Sequence, residues 1–503
     1  MWHRHLRRTL AALALLGTLA MAEDAFAYTY YPPGPQGTVG VGRPVLSQQL
    51  VLEPGDAITA VQMWVDGVKV QPSWNPSGLI RYVPRAPLAP GVHRVKLSVE
   101  VASGIAGQVY HPLVSEFAVE VRRDAVTAIP TPSAEEQRAL DWLNRYRTRA
   151  GLPPATLEDA LNGAARAHAA YLAANPAQRA ANPHGEKPGT PGFTGATGED
   201  RVRYFGMAGQ VAEVIDFTTR AEQAVDDWLA TLYHRVPLVH PGLQALGYGL
   251  AVGGGSAINV METTLLPDLP GVSPWPYPGQ SGVPTEWDGA EEPAPLRLYP
   301  GVSGPLGYTV SLTFGGNVRS LSLGQAYLRG PDGPVELMLF SPANDDRLRD
   351  TVAVIPTRPL RPGATYQATF AGQVDLGDGP TPYQQSWSFT TRAERPPRVS
   401  RLTLWETGGA LSRISLTGSG FDRAMQVFVG GLPAEDLQVD GDTASFRPPA
   451  GAWADNPGLL VVAGGQEHRI DGLAEKLSGL SLHNLAGCQT SCNRRHVIVA
   501  VQS

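Results

Sequence analysis

The sequence predicts a multidomain protein in which one α+β domain is flanked by all-β sandwiches. The chain has 503 residues, which at roughly 150 residues per domain is enough for three or four folding units. Its 56 glycines and 45 prolines are typical of short strands joined by turns. Apolar residues recur at helical spacing mainly in one central stretch, residues 133–235, so the helices are expected there.

The N-terminus has the three parts of a secretory signal peptide. Residues 1–8 are rich in histidine and arginine, residues 10–22 are apolar, and Ala25-Phe26-Ala27 is a typical cleavage site. We therefore expect residues 1–27 to be removed from a protein that is secreted or held in the cell envelope. An uncleaved anchor, or an earlier cut after Ala22, stays open. No later segment is long and apolar enough to span a membrane after cleavage.

The overall charge argues against two classes of partner. There are 40 Lys and Arg residues against 46 Asp and Glu residues, which gives a net charge of -6. Because the chain also lacks blocks of basic residues, nucleic acid and anionic membrane surfaces are poor candidates for partners.

Residues 28–123 are predicted to form the first β-sandwich. Apolar and polar residues alternate in short runs, and Val95, Leu97, Val99 and Val101 share one face of a strand. No run in this part has helical periodicity.

Residues 134–267 are predicted to form the α+β domain. Ser133 and Glu136 have the spacing of a capping box, and the helix that they begin should end at Gly151. Further helical stripes follow, and residues 243–252 and 257–264 then form two strands around a glycine-rich turn. Helices followed by a hairpin are typical of an α+β fold.

The C-terminal half is predicted to contain two more β-sandwiches. A proline-rich linker at 268–293 precedes β patterns at 294–392 and 396–472. The tail, 473–503, has no predicted fold and contains both cysteines. In an oxidising compartment Cys488 and Cys492 are expected to form a local disulfide, with zinc binding as the alternative.

No standard catalytic template is present. The sequence lacks a His-Glu-x-x-His zinc pair, a phosphate-binding loop and a Gly-x-Ser-x-Gly nucleophile turn. The candidate site residues are instead polar residues of the α+β domain: His168, His184, Glu186, Glu213 and His234. His168 lies on an apolar helix stripe, where a buried, hydrogen-bonded histidine is the alternative. His184, His234 and Glu213 are acceptable zinc ligands, or they form a polar cavity without metal.

Residues 134–264 resemble the CAP superfamily, the cysteine-rich secretory, antigen 5 and pathogenesis-related proteins, in a cysteine-free bacterial form. The matching segments occur in the family's order: 143–147 with 151–154, 161–173, 182–184, Glu213, 228–235 and 246–249. The resemblance implies an α-β-α sandwich whose cleft carries two histidines and two acids and, in some members, a divalent cation. His184, Glu213 and His234 match that set, but Thr231 replaces the second acid.

The flanking modules resemble bacterial immunoglobulin-like domains, and 396–472 resembles an IPT/TIG domain through its TGSGF and FVGG segments.

We therefore expect a secreted or cell-envelope CAP domain protein that binds a small ligand, lipid or cell-wall component without catalysis. Two alternatives stay open. One is a metal-assisted hydrolase in which His184 and His234 hold a weakly bound zinc ion and Glu213 or Glu186 is the general base. The other is a purely structural or adhesive envelope protein.

Overall fold

The computed structural model of the protein describes most of the chain from residue 29 onward. The described residues are 29–53, 55–105, 110, 112–266, 269–393, 397–407, 410–421, 425–440, 442–450, 458–463, 466–470 and 494–500. The predicted signal peptide, residues 1–27, and the predicted Cys488–Cys492 disulfide lie outside these ranges. Within them, no helix combines the length and the apolar character that crossing a bilayer requires.

The first compact unit comprises residues up to Ile129 together with 203–208. Its described strands are β1 (Thr29–Tyr30), β2 (Gly37–Val41), β3 (Leu46–Val51), β4 (Ala57–Val65), β5 (Val68–Val70), β6 (Ser73–Trp74), β7 (Leu79–Tyr82), β8 (Gly91–Ala102) and β9 (Leu113–Val126). They form a four-stranded sheet, β1-β3-β7-β6, and a five-stranded sheet, β2-β9-β8-β4-β5. Apolar residues of both sheets share one core. In β8 the predicted inward face is confirmed, because Val95, Leu97, Val99 and Val101 are all buried.

The second compact unit begins at Pro130 and contains the α+β domain. Its described elements are α1 (Ala134–Arg149), β10 (Thr156–Leu157), α2 (Asp159–Ala174), α3 (Pro176–Ala181), α4 (Gly198–Tyr204), β11 (Val211–Asp216), α5 (Ala221–Ala230), α6 (Arg235–Val239), β12 (Leu243–Gly253) and β13 (Ser256–Leu265). The sheet order is β10-β12-β13-β11. Strand β10 is parallel to β12, and the other pairs are antiparallel.

The start of α1 agrees with the sequence prediction. The backbone N–H of Glu136 donates to the Ser133 hydroxyl, and the backbone N–H of Ser133 donates to the Glu136 carboxylate at 2.9 Å. This reciprocal capping box satisfies two N–H groups that the helix itself leaves without partners. The helix ends before Gly151, whose φ of 74° lies in the left-handed region that favours glycine.

Helix α2 packs unusually close to strand β12. A Cβ atom at Gly247 would lie 2.0 Å from the backbone of Leu161, and one at Gly249 would lie 2.4 Å from the backbone of Ala165. Only glycine allows two backbones to approach this closely. The contact holds α2 against the sheet and places His168 on the buried face of the helix.

The next module is all-β. Its described elements are β14 (Gly271–Trp275), β15 (Glu286–Trp287), a 3-10 helix (Pro295–Leu298), β16 (Leu306–Gly307), β17 (Val310–Gly315), β18 (Ser320–Gly330), β19 (Gly333–Pro334), β20 (Leu337–Phe340), β21 (Thr351–Pro356), β22 (Thr365–Asp375) and β23 (Pro380–Thr390). Two four-stranded sheets, β14-β17-β21-β20 and β19-β18-β22-β23, accompany the small pair β15-β16.

The prediction of a linker at 268–293 was wrong. Strand β14 lies at the edge of its sheet and pairs with β17, and β15 pairs with β16. Proline is tolerated at a sheet edge because the N–H that it lacks need not join a neighbouring strand. The buried side chains of Trp275, Tyr277, Val283 and Trp287 anchor the segment, so it is part of the packed module.

The last described module is also all-β. Its strands are β24 (Arg398–Thr407), β25 (Ala410–Ser419), β26 (Gln426–Val429), β27 (Leu432–Pro433), β28 (Glu435–Asp440), β29 (Thr443–Arg447), β30 (Leu459–Ala463), β31 (Gln466–Ile470) and β32 (Arg494–Ala500). They form the sheets β28-β29-β25-β24-β32 and β27-β26-β30-β31. Part of the tail without a predicted fold therefore forms an edge strand, β32, which pairs antiparallel with β24.

Candidate functional site

Two separate polar clusters contain the site residues that the sequence predicted. The larger one, which we call the ion-pair network, connects six side chains through hydrogen bonds and ion pairs: His168, His184, Glu186, Arg201, Glu213 and Glu262. The smaller one contains His234, Thr231 and Glu291. The structure therefore joins four of the five predicted residues in one network, whereas His234 belongs to the other cluster.

Sheet register brings two carboxylates of the network side by side. Glu213 on β11 is the direct partner of Glu262 on β13. Arg201, from α4, contacts both carboxylates and is fully buried. Its guanidinium supplies a positive charge beside the two adjacent buried acidic side chains.

His168 is a buried structural histidine. Its side chain has no exposed surface, its Nδ1 lies 3.0 Å from a Glu186 carboxylate oxygen, and its Nε2 lies 2.8 Å from the carbonyl oxygen of Pro183. Both ring nitrogens therefore have partners, as in the alternative that the helix stripe suggested. Glu186 also accepts hydrogen bonds from the backbone N–H groups of Thr194 and Gly195. His168 and Glu186 thus hold the loop that carries His184.

The two carboxylates have opposite pKa shifts. Burial raises the pKa of Glu213, but the hydrogen bond from His184 and the nearby His168 and Arg201 outweigh it and lower the value to about 2. Burial and the charge on Glu213 raise the pKa of Glu262 well above its usual 4.5. The Oε2 atom of Glu262 is buried and has no hydrogen-bond partner among the described residues. Glu213 is thus ionised at neutral pH, and Glu262 keeps its proton to a higher pH than Glu213 does.

His184 is the exposed member of the network. Its side chain is 41% exposed, and its Nδ1 lies 2.8 Å from a Glu213 carboxylate oxygen. The backbone is held as well, because its carbonyl accepts a hydrogen bond from Arg201 and its N–H donates to the Asn182 side chain. An ionised carboxylate only accepts hydrogen bonds, so Nδ1 carries a proton, and in the neutral ring the lone pair is at Nε2.

His234 is paired with a residue from the following module. Its Nδ1 lies 3.1 Å from the Thr231 hydroxyl and 3.2 Å from a Glu291 carboxylate oxygen. Glu291 has a fully buried side chain and accepts the backbone N–H groups of residues 232, 233 and 234 at 2.6–2.9 Å. Sequence reasoning missed Glu291, because it lies beyond the predicted domain boundary at 267 and no motif marks it.

The predicted zinc ligands have different hydrogen-bond and ion-pair partners. Glu213 contacts His184 and Arg201, whereas His234 contacts Glu291. In the part of the chain that the structure describes, no group of three or more His, Cys, Asp or Glu side chains is arranged to hold a metal ion. Each histidine of the predicted trio of His184, His234 and Glu213 thus contacts a separate carboxylate, and zinc binding by the trio stays a prediction.

Replacing Glu291 with glutamine should destabilise the junction at His234. Glutamine keeps the shape but loses the charge that accepts three backbone N–H groups, so the free energy of unfolding should fall by about 1–3 kcal/mol. Urea denaturation, with hydrogen exchange followed in a peptide covering 231–239, measures the effect. Glu292→Gln is the matched control, because Glu292 is exposed and should change stability little. Equal losses in both variants would contradict the role assigned to Glu291.

Comparisons with known proteins place the site in a family. Residues 140–261 match the model of the cysteine-rich secretory protein family, CAP. The fold class is thereby confirmed as a multidomain protein in which an α+β CAP domain is flanked by all-β sandwiches. No curated protein matches the chain.

Among solved structures, similarities are to strings of immunoglobulin-like domains. The I9–I11 tandem from titin is 7% identical, with 88% of this chain and 97% of that chain covered and a TM-score of 0.14. Domains 3–5 of Drosophila OTK are 7% identical, with 90% and 98% covered and a TM-score of 0.17. The tandem Ig repeats of Dlar are 10% identical, with 40% and 93% covered and a TM-score of 0.14. These TM-scores are too low to indicate a shared overall arrangement.

Proposed function

We propose that this chain, which carries a CAP domain at residues 140–261, is an exported binding protein whose CAP domain holds a ligand at His184 without catalysis. The β-sandwich modules present that domain, and the module at 396–472 is of the IPT/TIG type. The ligand is a small polar molecule or a component of the cell wall or surface. The predicted signal peptide and the low charge support an exported, non-nucleic-acid-binding protein.

One observation carries the proposal: a partly exposed imidazole is attached to a buried ionic network. Burying several ionisable groups is costly unless each is paired, so such clusters occur often at functional sites. Here the other members are buried, with side chains 0–8% exposed, and only His184 reaches solvent. The network therefore holds one ring in a fixed tautomer, with Nε2 directed to accept a hydrogen bond from a ligand.

The surroundings of the ring favour binding over hydrolysis. A histidine and a carboxylate form the basic half of a catalytic triad, which needs a nucleophile within about 2.6–3.2 Å of the imidazole. Among the described residues, no serine, threonine or cysteine side chain hydrogen-bonds to the His184 ring. A water molecule activated by His184 is the one catalytic alternative that this dyad supports.

His184→Gln should abolish ligand binding at this site while the domain stays folded. Soluble peptidoglycan fragments and phospholipid vesicles serve as probes, and the Cε1–H resonance of His184 in histidine-labelled protein reports contact directly. We expect one probe class to shift that resonance and to raise the melting temperature of the wild type only. The matched control is His93→Gln, because His93 also pairs with a carboxylate, Asp66, but both its nitrogens are occupied.

The same samples separate binding from the alternatives. Turnover of an ester or peptide substrate by the wild type, lost in His184→Gln, would establish a water-activating hydrolase instead. An unchanged His184 resonance with all probes would refute a binding role for this ring and leave a structural or adhesive protein.

A further inference from the structure

A cavity lies outside the ion-pair network. It has a volume of about 170 Å³ and is formed by helices α1 and α5, the segment that follows β14, and strands of the last module. Five aromatic side chains line it: Trp142, Tyr146, Trp275, Tyr277 and Tyr308. None of the residues of the ion-pair network lines this cavity, so what it binds is independent of the function proposed for His184.

The aromatic rings form a continuous wall. The ring centroids of Trp142 and Tyr146 lie 6.3 Å apart, those of Tyr146 and Trp275 lie 5.8 Å apart, and those of Trp275 and Tyr277 lie 5.8 Å apart. The Trp275 indole N–H donates to the Tyr308 hydroxyl. Because these contacts and hydrogen bonds hold the rings in place, the wall is preformed and offers rigid apolar faces to a ligand.

Two polar atoms at the cavity have no partner in the described part of the protein. They are Nη1 of Arg145 and Oγ of Ser281, and both are buried. The Arg145 guanidinium lies 4.9 Å from the centroid of the Trp142 ring and 4.7 Å from that of Phe428. No described carboxylate forms an ion pair with it. Buried donors without partners are rare in folded proteins and indicate that a ligand or water completes them.

Asp226 adds an acceptor to this cavity. Its Oδ1 accepts hydrogen bonds from the Trp142 indole N–H at 2.7 Å and from the Tyr146 hydroxyl at 2.8 Å. No described residue hydrogen-bonds to the other carboxylate oxygen, Oδ2. The cavity therefore combines an unpaired donor at Arg145, a hydroxyl at Ser281 and a free carboxylate oxygen at Asp226.

We propose that this cavity binds one sugar residue of a carbohydrate. Sugar hydroxyl groups both donate and accept hydrogen bonds, so one ring satisfies an arginine donor, a serine hydroxyl and a carboxylate oxygen together. The C–H faces of a sugar ring are apolar and pack against aromatic rings. The volume equals that of about five or six water molecules, which suits a single six-membered ring and excludes a longer oligosaccharide from lying wholly inside.

Asp226→Asn tests the proposal directly. The probes are glucose, galactose, mannose and N-acetylglucosamine, titrated against the full chain, with tryptophan fluorescence and calorimetry as readouts. A ligand of this size should bind with a dissociation constant on the order of 1 mM. The asparagine amide keeps an oxygen for Trp142 and Tyr146, so the protein should fold, whereas affinity should fall about tenfold.

Two further variants make the result decisive. Asp227→Asn is the matched control, because Asp227 is the neighbouring acid on α5 but does not line the cavity, so affinity should stay unchanged. Ser281→Ala removes a second contact, with an expected loss of about fivefold. If none of the four sugars binds, or if Asp227→Asn weakens binding as much as Asp226→Asn, the cavity holds only water and the proposal is wrong.

Discussion

Replacing Arg201 with methionine should lower the free energy of unfolding of the CAP domain by about 3–5 kcal/mol. The guanidinium contacts Glu213 and Glu262, and all three side chains are 0–8% exposed. Methionine preserves much of the volume but leaves the Glu213 carboxylate buried without its cation. An uncompensated buried charge is among the most destabilising changes that one substitution produces.

Urea denaturation with hydrogen exchange measured in a peptide covering β11 isolates this effect from the other modules. Arg138→Met is the matched control, because Arg138 forms an exposed ion pair with Glu135 and should cost less than about 1 kcal/mol. The double variant Arg201→Met/Glu213→Gln should regain part of the lost free energy of unfolding, since it also removes the unpaired negative charge of Glu213. A loss of less than about 1 kcal/mol in Arg201→Met would contradict the buried ion-pair assignment.

Glu262→Gln should make the CAP domain more stable than the wild type at pH values above 4.5. The folded-state pKa of Glu262 lies well above 4.5 because of burial and the charge on Glu213. Above pH 4.5 the unfolded chain releases this proton while the folded protein keeps it. Stability is therefore complete below pH 4.5 and is lost as pH rises towards the folded pKa, by about 1.4 kcal/mol per pH unit. Glutamine resembles the protonated acid and does not titrate.

The gain in the free energy of unfolding of Glu262→Gln over the wild type should thus be near zero at pH 4 and should grow as the pH rises towards the folded pKa of Glu262. An infrared band of a protonated carboxylic acid should persist in the wild type above pH 4.5 and should be absent from this variant.

Glu213→Gln should behave oppositely to Glu262→Gln. Burial raises the pKa of Glu213, but its hydrogen bond from His184 and the neighbouring cations bring it down to about 2. Its contribution to stability is therefore present above pH 4.5 and is lost as pH falls towards 2. The glutamine variant should be the less stable protein at pH 7. The same sign of change in both variants would show that the protonation states are assigned incorrectly.

Much of the fold could be predicted from local patterns. The capping box at Ser133 and the alternation around Val95 each depend on residues close in sequence, so both were recognisable without a structure. The segment 268–293 was misjudged, since proline content says little when a strand lies at a sheet edge. Its aromatic residues nevertheless indicated a packed segment, and Trp275 and Trp287 are indeed buried.

The residues of the candidate site could likewise be predicted only in part from the sequence. Its histidines and Glu213 were identified from the sequence as polar residues of the α+β domain, and the structure joins His184 to Glu213. The carboxylate beside His234 was not identified, because Glu291 lies 57 residues further along the chain in another module.

By itself, the sequence determined the order of the modules, the helices of the CAP domain and the polar residues available for chemistry. Periodicity, capping and turn residues act over a few positions, and these features follow from them. The tertiary structure decided which charges meet, which histidine reaches solvent and which carboxyl group keeps its proton. These depend on burial and on distances between residues from separate strands and helices, quantities that only the folded chain defines.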